Sequence, residues 1–162
     1  MRVTFVRTVG ARDRIYVARD DGSETSWEFP SYGDDGLPHD LVHLIVERRF
    51  GVTGGVWGRV AAGADLAKIN AAANKSGGKD KYRELGDEVL LAEALANAPW
   101  TSRELAPDAA ALLARMREMA GERALPSSVT LETIDEVRDE LFALREKWRA
   151  FVPKGALELT YP

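Results

Sequence analysis

The sequence predicts an α+β fold in which an amino-terminal antiparallel β-meander packs against a carboxy-terminal helical layer. Two observations carry this expectation. Apolar residues alternate in twos over the first 30 positions, whereas beyond Pro38 they recur at spacings of three and four. Because the two periods occupy separate parts of the chain instead of alternating, a segregated sheet and helical layer is expected over a repeated βαβ architecture. The 162 residues, 45% of them apolar, suffice for one domain spanning 1–162.

Taken in order, Val3 and Phe5, then Ile15 and Val17, then Trp27 and Phe29 mark three strands, each with one buried face. Turn residues separate them, first around Gly10 to Asp13 and then at Asp20-Asp21-Gly22-Ser23, whose Asp-Gly step favours a tight hairpin. Pro38 suits the first turn of a helix that begins near Leu37, carries Leu41, Val42, Leu44, Ile45 and Val46, and stops at Phe50-Gly51. Between Gly51 and Gly63 small residues surround Trp57, which reads as a turn and a short close-packed helix with the tryptophan in the core.

The polar, glycine-containing stretch from Lys68 to Lys79 reads as an exposed loop and the most mobile internal segment. A helix then runs from about Asp80 to Asn97 and ends before Pro99. Thr101-Ser102-Arg103-Glu104 has the form of a capping box, with Trp100 and Leu105 as its hydrophobic staple, and predicts a helix start. Pro107 opens another helical stretch, with Leu112, Leu113, Met116 and Met119 as core filler, up to Gly121. In the last helix Thr130 is the cap and Leu131, Ile134, Val137, Leu141, Leu144 and Trp148 form one apolar stripe. Alternation from Ala156 to Tyr161 predicts a strand returning to the first sheet. Trp27, Leu44, Val89, Leu141 and Leu144 are the expected core.

Composition excludes several functions. The chain has no cysteine, so disulfides, thiolate metal sites and a thiol nucleophile are out, and a cytoplasmic location is the expectation. Neither a signal peptide nor a membrane span is expected, and a net charge of −4 argues against a nucleic-acid partner. The lysines and glycines of Ala73 to Asp80 miss the phosphate-loop pattern, with Ala73 in place of its first glycine and Asp80 in place of its magnesium-binding hydroxyl.

The two histidines of the chain, His39 and His43, stand four residues apart on one face of the helix that follows Pro38. Two imidazoles at this spacing form a bidentate clamp for a metal ion, zinc above all. The string His39-Asp40-Leu41-Val42-His43 resembles the zincin metallopeptidase motif His-Glu-x-x-His over its five residues. The resemblance implies zinc on His39 and His43, with Asp40 in the place of the catalytic base that activates a metal-bound water. Asp40 is one methylene shorter than the motif's glutamate. The long form of the motif has a third histidine where this chain has Arg49, so a third ligand must be a carboxylate. It is expected from Glu84, Asp87 or Glu88 on the following long helix, in preference to Glu47 on the same one. The two resulting readings are a small zinc protein with hydrolase-like chemistry, and a noncatalytic interaction or regulatory module, with a protein partner or a homodimer, in which both histidines are structural.

Overall fold

Residues 1–9, 12–31, 36–66 and 86–162 are described by a computed structural model of the chain. Strands β1 (Arg2–Val6), β2 (Arg12–Ala18), β3 (Glu24–Pro30) and β4 (Ala156–Thr160) make one antiparallel sheet in the order β3-β2-β1-β4. The last strand therefore returns to pair with the first, Phe5 opposite Leu157, as its alternation predicts. The register lines Trp27, Ile15, Phe5 and Leu157 across the four strands, and all four are buried. Their neighbours on each strand point to solvent, so one face of the sheet supplies the core and the other carries charge pairs such as Arg12 with Glu28.

Among the described residues five helices follow: α1 (His39–Phe50), α2 (Val56–Ala61), α3 (Asp87–Ala96), α4 (Ala109–Ala120) and α5 (Leu131–Arg149). Helix α1 lies at the centre and packs against α2, α3 and α5. Seven of its residues are buried, His43 and Glu47 among them, and they go most of the way round the helix. Its two arginines leave the core at the far end, where Arg49 reaches Glu140 of α5 at 2.9 Å and Arg48 meets the same carboxylate. Helix α1 starts at His39 with Pro38 as its cap, two residues later than the sequence suggests, and ends at Gly51 with φ 66.

The glycine-rich segment does form a turn and a short helix, and Trp57 on α2 is fully buried against Phe5 and Trp27, with ring centroids 6.2 and 5.6 Å away. Arg19, in the turn between β2 and β3, donates to the carbonyls of Val60 and Ala64 at 2.6 and 2.8 Å and so ties that hairpin to the free end of α2. The expected core residues Trp27, Leu44, Val89, Leu141 and Leu144 are all buried.

Three expectations need correction. Thr101 to Glu104 does not start a helix: the segment is a turn, in which the Ser102 hydroxyl accepts from the Leu105 amide at 3.2 Å, and Leu105 is exposed. The cause is Pro107, which bars the helical conformation at Ala106 and stops any helix begun at Thr101 after one turn. Buried Arg138 of α5 takes the carbonyls of Trp100 and Ala106 instead, and α4 starts later under a cap by Asp108, which accepts from the Ala111 amide at 2.8 Å. Leu131 is half exposed, because it lies in the first turn of α5, beyond the end of the surface its partner helices cover. Met119 is likewise exposed near the end of α4, although Met116 is buried. The expected loop from Lys68 to Lys79 and the first residues of the helix expected from Asp80 lie outside the described residues. Among the described residues no helix is long and apolar enough to cross a membrane.

Trp57 fills the junction of sheet, α1 and α2, so Trp57→Ala is expected to destabilise the fold by about 3–5 kcal/mol, whereas Leu131→Ala should cost less than about 1 kcal/mol. Urea midpoints of the two variants check the difference, and equal losses would contradict this description of the core.

Candidate metal centre

The site forms where the start of α1 meets the second half of α3. Two indoles hold the first turn of α1 in place: Trp27 of β3 donates to the Asp40 carboxylate at 3.0 Å, and Trp57 donates to the Asp40 backbone carbonyl at 2.8 Å. With that turn pinned, His39 and His43 project from one face with ring centroids 4.7 Å apart and planes nearly perpendicular. Helix α3 brings Glu93 to them. Its Oε2 stands 3.6 Å from His39 Nε2 and 3.6 Å from His43 Nε2.

These distances decide what the group can do. At 3.6 Å neither contact is a hydrogen bond of ordinary length. Two ligands about 2.1 Å from a tetrahedral zinc ion stand about 3.4 Å apart, so the carboxylate sits close to metal-bridging distance from both imidazoles. The three ligand atoms all lie within 4.8 Å of one another, and the group could hold a metal ion. His39 is partly exposed, Glu93 is mostly covered, and His43 is buried, which leaves one open side at His39.

His43 Nε2 is buried with no hydrogen-bond partner. The other ring nitrogen is fully engaged. Nδ1 lies 3.0 Å from Glu47 Oε1, and because an ionised carboxylate only accepts, Nδ1 carries the proton and donates it. Glu47 is itself completely buried and accepts from two backbone amides at the start of α2, Val56 at 3.0 Å and Trp57 at 2.8 Å. The glycines of the turn permit this approach: a Cβ on Gly55 would stand 2.6 Å from the Glu47 carboxyl carbon and 3.0 Å from Ala92 Cβ on α3.

Electrostatics follow from the same contacts. Burial opposes a charge on His43, but the carboxylates of Glu47 and Glu93 outweigh it and push the imidazole up to about 9. Burial likewise works against the Glu93 carboxylate, and the two histidines overcome it, holding the group well below the usual carboxylate range.

Of the residues the sequence nominates, His39 and His43 come together as expected. Asp40 is outside the group, its side chain spent on Trp27. Glu84 lies outside the described residues. Asp87 and Glu88 are exposed in the first turn of α3, Asp87 reaching Arg123 at 3.3 Å and Glu88 lying over Gly54. The carboxylate that meets the histidines is instead Glu93, because the second half of α3, not its first turn, faces the start of α1. Its signal is present in the sequence: Glu93 is the one charged residue between Val89 and Trp100, in an otherwise apolar stretch broken only by Asn97 and Pro99. Comparison with family models, with curated proteins and with solved structures finds no match in any of the three.

For the metal-free protein the sign of the pH dependence is fixed. A histidine raised from 6.5 to about 9 stabilises the fold fully below 6.5 and loses that contribution as pH rises through 9. A glutamate lowered from 4.5 contributes fully above 4.5 and loses it as pH falls further. In chelator-treated protein, the stability cost of His43→Gln is therefore expected to be greatest near about pH 5.5 and to shrink as pH passes 9. Urea midpoints of wild type and variant across pH test this, and a cost that grows with pH would contradict it.

Proposed function

We propose that this chain binds a zinc ion between α1 and α3 through His39 Nε2, His43 Nε2 and Glu93, and that the centre serves metal-dependent hydrolysis. The observation that carries the proposal is the buried, unpartnered Nε2 of His43 facing a carboxylate that stands equally far from both imidazoles. A buried polar atom without a partner is costly, and an ion at this point removes that cost. Two imidazoles and one carboxylate suit zinc and leave a fourth position for water. Zinc lowers the pKa of such a water to about 7, which supplies a hydroxide nucleophile at neutral pH.

The chain's own residues set the limits of this chemistry. His39, the exposed ligand, marks the side from which water and a substrate reach the ion. Asp40, in the place of the motif's base, stands outside the ligand group with Oδ2 accepting from the Trp27 indole, so only its Oδ1 would be left to act as a base. A cytoplasmic setting suits a chain without cysteine.

Elemental analysis of protein purified without a histidine tag is expected to find about one zinc per chain. His39→Ala, His43→Ala and Glu93→Ala should each weaken zinc binding by more than about 100-fold, beyond the loss typical of an outer partner, while Asp87→Ala and Glu88→Ala should leave it intact. Near about pH 7.5 zinc must displace the proton on His43, so calorimetry in two buffers of different ionisation enthalpy should report roughly one proton released per ion. Equal binding by wild type and the three ligand variants would sink the proposal.

A further inference from the structure

Glu47 touches no ligand position of the proposed ion, yet it is buried completely one helical turn beyond His43. A carboxylate in such a place costs free energy unless both its oxygens find donors. Here Oε1 accepts from His43 Nδ1 and the Val56 amide, and Oε2 accepts from the Trp57 amide. Three donors from two elements thus fix one carboxylate, and that carboxylate fixes one imidazole.

The geometry points to Glu47 as the positioning residue of the metal centre: by holding the Nδ1 proton of His43 it presents Nε2 to the ion, and the glycine turn before α2 is the seat that holds Glu47. The inference rests on the zinc reading of His39, His43 and Glu93. Metal-ligating histidines commonly donate their second N–H to a carboxylate, which sets the tautomer, orients the ring and raises its basicity. The seat matters because Gly55 lies between Glu47 on α1 and Ala92 on α3, next to Glu93. A methyl group there would come within 2.6 Å of Glu47 and 3.0 Å of Ala92. Gly55 is therefore expected to control zinc affinity although it contacts none of the ligand atoms.

The test is zinc competition against a chromogenic chelator with wild type, Glu47→Gln, Gly55→Ala and Leu141→Ala, the last a buried core variant on α5, a helix that supplies none of the proposed ligand atoms. Glutamine keeps the length of the side chain but places a donor where one amide of α2 needs an acceptor. Glu47→Gln is expected to weaken zinc about 10–100-fold, and Gly55→Ala to weaken it by at least about 10-fold, while Leu141→Ala stays within about twofold of wild type. Unchanged affinity in Glu47→Gln, or losses no greater than that of Leu141→Ala, would overturn the inference.

A measurement on the wild type alone keeps the question open to refutation should the variants not fold. Long-range nitrogen-proton NMR of the zinc-loaded protein is expected to show His43 protonated at Nδ1 and coordinated at Nε2. Coordination at Nδ1 would overturn the positioning role and leave the zinc site standing. Failure of the wild type to bind zinc would remove the site itself, and the role of Glu47 with it.

Discussion

The hydrogen bond between His43 and Glu47 is the constraint to which the neighbouring structure is fitted. Helix α1 packs against α2, α3 and α5, and in its middle the polar residues His43 and Glu47 are buried with the apolar ones. Burying an imidazole and a carboxylate is costly, and the cost is met only if each finds partners. Glu47 finds three, and two of them are amides at the start of α2. The position of α2, the need for glycine at 55 and the seating of Trp57 against Phe5 and Trp27 all follow from that arrangement.

The same arrangement links sheet to site. Trp27 of β3 and Trp57 of α2 both donate to Asp40, one to its side chain and one to its backbone, and His39 is the next residue. A residue that the motif marks as a base is thus the anchor of the turn that carries the first histidine. What stays unsatisfied in this otherwise well-partnered region is His43 Nε2, directed at Glu93. A buried atom left without a hydrogen-bond partner, 3.6 Å from a carboxylate, is readily understood if an ion belongs there.

Much of the fold was legible because period alone encodes it. The alternation of Val3 and Phe5, Ile15 and Val17, and Trp27 and Phe29 marks three strands correctly, and Leu157 and Leu159 mark the fourth. The stripe on α5 marks a helix, with Thr130 accepting from the Thr133 amide as its cap. Local rules failed where a distant residue or a rigid one decided the outcome. The capping box at Thr101 met Pro107 six residues later, and buried Arg138 claimed the carbonyls of the turn. The histidine pair was legible from spacing, but its third member was not, since choosing among the acids of α3 requires knowing which half of that helix faces α1. Exposed acids at the start of a helix are common; a single glutamate within Val89 to Ala96 is the less ordinary feature, and it is the one that reaches the histidines. Glu47 was visible as a same-helix acid, but its role as the partner of Nδ1 depends on α2, which spacing along α1 does not reveal.

The proposed metal centre stands or falls on the location of one ion. Crystals of the full chain grown with zinc, measured on both sides of the zinc absorption edge, give that location directly. A single strong anomalous peak is expected between α1 and α3, about 2.0–2.2 Å from His39 Nε2, His43 Nε2 and a Glu93 oxygen, with Glu47 still on His43 Nδ1. No peak there in zinc-saturated crystals, or a peak held by Asp87 and Glu88 instead, would contradict it.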